Sequence, residues 1–346
     1  MIDLSLGEVR ITLPPVPAVV SARPTYGDPA GLPALRRHLA ASLRVAPDAV
    51  CVTTGASLGL AATLASRRPS LVLLPDLRYP GYVSLLRALG IEFLTYRALT
   101  PSGIADAGAA VAALQAHPGA TLLWNFPHNP TGTLDTPEDR AAVARAAMET
   151  GGELVTDCVY AELAYSAFEP PVGAPNPGEV RVNSLSKSLA LAGERVGYVV
   201  AAPDRLREIT ASHWALAMSP PSASQEVALA ALEDHPQRTQ AIRSELESLR
   251  SVACRALYEL PNVKFTPPGG GLFIWFDVPT LDTAVGTLSE LLERSGVRVT
   301  PGTAFGSTAT AARLSFAVPR AELDRGLSTL ASLLTHPAVP YVPATR

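Results

Sequence analysis

An α/β fold, with a mostly parallel central sheet covered by helices on both faces and a smaller α+β domain beside it, is what this sequence predicts. Three observations carry that expectation. Between residues 50 and 201, short apolar runs alternate with segments of helical periodicity, the pattern of parallel strands joined by crossover helices. Polar clusters recur where four of those regions end, at Gly55–Ser57, Asn129–Gly132, Asp157–Tyr160 and Ser184–Lys187, and ligands of open α/β sheets gather beyond strand carboxyl ends. From about residue 226 the pattern changes to long helical stretches and isolated strand-like runs.

In chain order, residues 1–25 are proline-rich and extended, with Leu4, Leu6 and Val9 alternating like an edge strand. A turn at Gly27–Gly31 precedes a helix whose apolar face is Leu32, Leu35, Leu39 and Leu43. Val50–Thr54 reads as a buried strand that runs into Gly55-Ala56-Ser57 and a helix from about Leu58 to Ser66. Free N–H groups at such a helix start suit a phosphate, although Gly and Ser also serve there simply as caps. Strands follow at 71–74, 91–96, 121–124, 153–157, 180–183 and 195–201, with helices to about Gly90, over 104–115 and over 137–149. The remainder holds a helical stretch from 226 to 260 broken near His235-Pro236, a strand-like stretch Gly269–Asp277, a helix at 283–295, strands at 297–299 and 312–316, and a last helix at 321–335. The expected division is a large cofactor-binding domain over 28–245 and a small domain from 1–27 with 246–346.

A formal charge of -3 argues against nucleic acid and acidic membranes as partners. A composition 47% apolar and 17% charged supports a sizeable core. The three cysteines, Cys51, Cys158 and Cys254, are far apart, which suits a reducing cytosol. The six histidines show no metal-ligand spacing, the first residues lack the basic and apolar regions of a signal peptide, and no apolar run approaches a membrane span. A cytoplasmic protein with neither metal nor membrane partner is the expectation.

Lysine is the anomaly. Of 28 basic residues only Lys187 and Lys264 are lysine, and arginine cannot replace an amine that must lose its proton and attack a carbonyl. Lys264 lies between prolines and reads as a solvated loop residue, whereas Lys187 sits in Asn183-Ser-Leu-Ser-Lys-Ser just ahead of a strand. A lone amine, an anion nest at 55–57, the strand-end carboxylate Asp157 and the phenol of Tyr160 together meet the needs of pyridoxal phosphate. That cofactor requires a lysine for its Schiff base, a phosphate site and an acid facing its ring nitrogen. A carboxylate paired with a pyridinium keeps its charge despite burial.

These motifs, in this order, resemble the class I/II aminotransferases of the fold-type I pyridoxal-phosphate enzymes, over nearly the whole chain. Asn129-Pro-Thr-Gly is similar to the family's Asn-Pro-x-Gly, which implies that Asn129 bonds the ring hydroxyl and lies at the substrate. Asp157-x-x-Tyr160 is similar to its pyridinium and ring-hydroxyl pair. Ser184-Leu-Ser-Lys187 with Gly193-Glu-Arg195-Val-Gly197 resembles the Schiff-base segment, with Ser184 and Arg195 on the phosphate. Ala56 and Ser57 match the phosphate turn, Tyr79 the aromatic that stacks on the ring, and Arg313 the clamp on the substrate α-carboxylate. Tyr26 resembles the tyrosine that reaches the neighbouring subunit's phosphate, implying a homodimer with shared sites. Singly, Tyr79 reads as packing, Arg313 as a surface arginine and Asn129-Pro-Thr-Gly as a turn, while Asp157 reads equally as a cap or solvated strand end and as a site; their succession around Lys187 gives them weight. His128 and Cys158 receive no role.

The implied activity is transfer of an amino group between an α-amino acid and a 2-oxo acid through Lys187. A decarboxylase, β-lyase, oxidase or cyclase of the same fold is the nearest alternative, since outcome depends on which Cα bond aligns with the ring. A non-catalytic sensing domain would need a DNA-binding module and a different charge. A dehydrogenase would need a glycine fingerprint that does not follow the first strand.

Overall fold

The computed structural model describes residues 1–13, 16, 25–233 and 235–335. The strands in chain order are β1 (Ile2–Asp3), β2 (Val50–Thr54), β3 (Leu71–Pro75), β4 (Glu92–Tyr96), β5 (Thr121–Asn125), β6 (Glu153–Asp157), β7 (Glu179–Ser184), β8 (Val196–Ala201), β9 (Lys264–Phe265), β10 (Phe273–Asp277), β11 (Val297–Arg298), β12 (Thr300–Pro301) and β13 (Ala311–Ser315). The helices are α1 (Pro33–Leu43), α2 (Gly55–Arg67), α3 (Pro80–Leu89), α4 (Ala107–Ala116), α5 (Pro137–Glu149), α6 (Leu185–Ser188), α7 (Pro203–Ala217), α8 (Ser222–Glu233), α9 (His235–Tyr258), α10 (Leu288–Arg294) and α11 (Arg320–Thr335).

Among these residues the central sheet has seven strands in the order β2-β8-β7-β6-β5-β3-β4. β3 to β7 pair in parallel, while β8 lies antiparallel between β7 and β2. Only residues 185–195 separate β7 from β8, fewer than the dozen or so that a parallel crossover needs, so the chain folds straight back. Strand pleating sends alternate side chains to opposite faces. Val72 and Leu74 join one apolar cluster with α2 and α3, and Leu73 joins another with α4 and α5. The mostly parallel, helix-covered sheet read from the sequence is the one observed.

The second sheet, β12-β13-β10-β9, is antiparallel, and β1 pairs in parallel with β11. Its core joins Leu4, Phe273, Phe276 and Leu314 to Ile242, Leu246 and Leu249 of α9 and Leu323 and Leu330 of α11. The N-terminal segment is pressed on α11: a Cβ at Gly326 would lie 2.7 Å from Leu4 Cδ1. Among the described residues no helix is long and apolar enough to cross a membrane.

Four local expectations differ from what is seen. α7 was not predicted, because two of the residues it buries, Arg205 and His213, are polar and interrupt its apolar periodicity. The edge strand expected at Leu4, Leu6 and Val9 stops at Asp3; Leu4 is fully buried while Leu6 is 40% exposed on a cavity wall. The helix expected over 283–295 divides at Gly286, where φ is 127°, and α10 restarts on a Thr287–Glu290 capping box. α2 begins at Gly55 rather than Leu58.

Candidate active site

A cavity of about 800 Å³ opens beyond the carboxyl ends of β2, β5, β6 and β7 and is closed on the far side by Ser5–Glu8, Thr300, Phe305 and Arg313. Its size falls in the usual range for small-molecule sites. Lys187, Ala56, Ser57, Tyr79, Asn129, Asp157, Tyr160, Ser184, Arg195 and Arg313 all line it. Tyr26 does not. It is 74% exposed and meets Trp214 edge to face, with centroids 6.2 Å apart.

One wall is an anion nest. α2 starts at Gly55 with no side-chain cap from Thr54, which leaves N–H groups and the positive helix end directed at the cavity. Gly55 has φ 74°, and a Cβ there would come within 2.5 Å of Arg195 Nη2, so the guanidinium lies directly against the turn. A Cβ on Gly197 would come within 2.5 Å of Ala56 N. Glycine therefore lets β8 pass beneath the nest. Arg195 itself is left-handed, with φ 55°, and donates from Nη1 to Ala192 O at 3.1 Å.

Ser184 ends β7 and caps the short α6, accepting from Ser186 N at 3.0 Å. Its hydroxyl proton has two acceptors in reach, Ser186 Oγ at 2.8 Å and Val196 O at 3.2 Å. Lys187, one turn on, donates from Nζ to Gly7 O at 2.6 Å. Burial draws its pKa below the ordinary lysine value; Arg195 and Arg313 act in the same sense, against Glu8 and Asp157. The free amine is thereby made more accessible.

Asp157 closes β6. Its carboxylate accepts from Tyr82 Oη at 2.6 Å and from Val159 N at 3.1 Å. Burial raises its pKa, and the Tyr82 hydrogen bond opposes that rise. Asn125, at the end of β5, donates from Nδ2 to Asp157 O at 3.2 Å and accepts from Asn129 N at 3.0 Å, so it braces two adjacent walls. Arg313 enters from β13. It donates to Asn129 Oδ1 at 3.0 Å, Ser5 O at 2.7 Å and Thr300 Oγ1 at 3.1 Å, and lies 3.8 Å above the Phe273 ring. Burial pushes its pKa down to about 10. Its buried Nε has no protein partner among the described residues. A buried guanidinium without a carboxylate is costly, so this one is suited to an anionic ligand.

Tyr82, Asn125, Ser5, Gly7 and Thr300 were missed in the sequence. Tyr82 had a weak signal, standing one helical turn after Tyr79; the others had none. His128 and Cys158 are structural. His128 must donate from Nε2 to Leu77 O, an acceptor only, and so accepts at Nδ1 from Thr131 (both 2.9 Å). Burial lowers its pKa to about 4. Cys158 is buried, its thiol pushed far up by desolvation, which makes it inert.

The model of the family described as aminotransferase class I and II matches residues 2–330. The chain belongs to that family. It is 28% identical to valine–pyruvate aminotransferase of Mycobacterium tuberculosis, covering 96% of this chain and 91% of that one. It is 30% identical to 2-aminoadipate transaminase of Thermus thermophilus, covering 87% and 77%. The structure of Thermus thermophilus aspartate aminotransferase with maleate superposes with a TM-score of 0.80 at 26% identity, covering 89% of this chain and 84% of that one. The protein is a pyridoxal-phosphate-dependent aminotransferase, and the residues of its cavity suit that cofactor. The uncapped α2 terminus under Arg195 suits a phosphate, the buried acid suits a protonated ring nitrogen, and the amine of Lys187 suits a carbonyl carbon. Among the described residues no group of three His, Cys, Asp or Glu is placed to hold a metal.

Proposed function

We propose that Lys187 is the residue that binds pyridoxal 5'-phosphate covalently and then moves the proton of amino transfer. The observation that carries this reading is the meeting, in one cavity, of a buried amine at Lys187, a buried acid at Asp157 and an uncapped helix terminus under Arg195. Ala56, Ser57, Arg195 and the Ser184–Ser186 hydroxyl pair hold the phosphate. Tyr79 covers the ring, Asn129 and Tyr160 bond its hydroxyl, and Asp157 faces its nitrogen. Arg313 binds the α-carboxylate of an amino acid or 2-oxo acid, with Asn129 beside it. The bound cofactor supplies an electron sink for the substrate Cα. With that cofactor held in the cavity, the Lys187 amine would be placed to take the substrate Cα proton as a base and to give it back as an acid.

The proposed division is a large domain over 28–245 and a small domain of 1–27 with 246–346. The first carries the cofactor residues other than Tyr26, and the second carries Tyr26 and Arg313. The exposed Tyr26 is proposed to complete the phosphate site of a second copy in a homodimer, and the enzyme is proposed to work in the cytoplasm.

Borohydride reduction of the holoenzyme followed by peptide mapping tests the central assignment. The cofactor should be fixed to Lys187, and Lys187→Arg should lack both the visible cofactor band and turnover. Cofactor on any other residue, or a turning-over Lys187→Arg, would overturn it. Incubation with an amino acid and no oxo acid should stop at one equivalent of 2-oxo acid per site. Continuous release of ammonia or carbon dioxide would contradict amino transfer.

A further inference from the structure

Tyr82 has two contacts that the roles above leave unused. Its hydroxyl donates to Asp157 Oδ2 at 2.6 Å, within the range of charge-assisted O–H···O⁻ bonds. Its ring meets Tyr79 edge to face, with centroids 5.4 Å apart at 86°. It is 3% exposed, lies in the first turn of α3 and is packed in the apolar cluster under that helix, so the phenol is held in place. Burial and the Asp157 charge drive its own pKa well above the usual tyrosine value, so it remains a donor.

We propose that Tyr82 is a positioning residue that, by donating to Asp157 Oδ2, keeps the proton shared between Asp157 and the cofactor ring nitrogen on the nitrogen. This rests on the reading of Asp157 as the partner of that nitrogen. A carboxylate that already accepts a short O–H bond is a weaker base and competes less well for a proton. Without the hydroxyl the proton moves from nitrogen to carboxylate, no other atom is exchanged, and the ring loses the positive charge that makes it an electron sink. The other titratable groups facing Asp157 are Lys187 from α6, Tyr160 from the following turn and the neighbouring Cys158. Of the side chains around Asp157, Tyr82 is the one whose hydrogen bond stabilises its anion. The edge contact with Tyr79 adds a second effect, since one side chain of α3 then touches both the Tyr79 ring and, from across the cavity wall, the acid at the end of β6.

Tyr82→Phe keeps the ring and removes the O–H. Titration of the apoenzyme with pyridoxal 5'-phosphate should show binding about tenfold weaker, the size expected for a lost hydrogen bond to a charged group. The visible band of the bound cofactor should change at a higher pH, because a neutral ring no longer opposes a proton on the Lys187 nitrogen. Asp157→Asn should weaken binding strongly, and Tyr82→Phe added to it should change affinity less than about twofold, the non-additivity of groups acting as a unit. If Asp157→Asn binds as the parent does, the reading of the site fails. The proposal alone fails if Asp157→Asn weakens binding while Tyr82→Phe shifts neither affinity nor band, or if the two effects multiply.

Discussion

Replacing Arg313 by lysine separates recognition of the α-carboxylate from every other part of the site. The guanidinium is held by Asn129, Ser5 and Thr300 and lies 3.8 Å above Phe273, which leaves it one orientation. Its Nε, buried and without a protein partner among the described residues, is a donor in reserve. Lysine keeps the charge but has a point ammonium in place of the planar fork, and it cannot satisfy the three acceptors and a carboxylate together. Hydrogen bonds to charged groups contribute about 1.5–3 kcal/mol, and every 1.4 kcal/mol is tenfold. Arg313→Lys should therefore lower kcat/KM for an amino acid by roughly 10- to 150-fold, mostly through KM, because the contact exists in ground and transition states alike. The assay is the first half-reaction, followed as loss of the visible cofactor band in single turnover. The same measurement with the amine that lacks the carboxyl group is the control, and there parent and variant should react equally slowly. An equal loss with that amine, or a fall in kcat at unchanged KM, would refute the assignment.

Gly197→Ala should be damaging without touching substrate. Its Cβ would lie 2.5 Å from Ala56 N and from Gly55 C, backbone atoms that cannot rotate away. Displacing the nest should weaken cofactor binding by at least tenfold in apoenzyme titration, and overpacking of this kind costs about 1–3 kcal/mol of stability. His128 makes a prediction about acid. Its folded pKa, about 4, lies below its unfolded value of 6.5, so its contribution is present above pH 6.5 and is lost as pH falls through 4. The shift corresponds to about 3 kcal/mol at most. Urea unfolding between pH 7 and 4 should show that loss in the parent, and His128→Asn, less stable at pH 7, should lack it. Asp157 works in the opposite direction in the apoenzyme. Burial raises its pKa, so the stability it contributes is present below the unfolded value near 3.8 and is lost as pH rises through the higher folded one. Apo Asp157→Asn should thus melt higher than the parent at neutral pH, with the gain shrinking toward pH 4.

The sheet was legible because most of its strands are short apolar runs, β7 being the alternating exception, with a turn or a helix start behind them. What periodicity could not reveal was a core that contains charge. Arg205, buried in α7, pairs with Glu153 at 2.6 Å, and His213, fully buried, takes the N–H of Thr54 at 3.3 Å. Both residues read as solvent-facing until their partners, one on β6 and one at the end of β2, are brought beside them. The antiparallel turn of β8 follows from the short chain length between β7 and β8.

Much of the site was legible for a different reason. In a chain whose cations are nearly all arginine, a lysine at the end of a strand stands out, and the acid, amide and glycine turn around it lie in sequence-local motifs. The residues that went unread orient those groups from a distance. Tyr82 reaches Asp157 across 75 residues, and Asn129 and Arg313 meet across 184. Lys187 and Arg313 are aimed by main-chain carbonyls of Gly7 and Ser5, 180 and 308 residues away. A carbonyl has no side-chain signature, so no motif could have found those two contacts. The N-terminal segment therefore acts on the site through its path as well as through the charge of Glu8. That path is set by Leu4, sealed in the second core against α11, so a change in the packing of Leu4 would reach both cations although Leu4 touches neither.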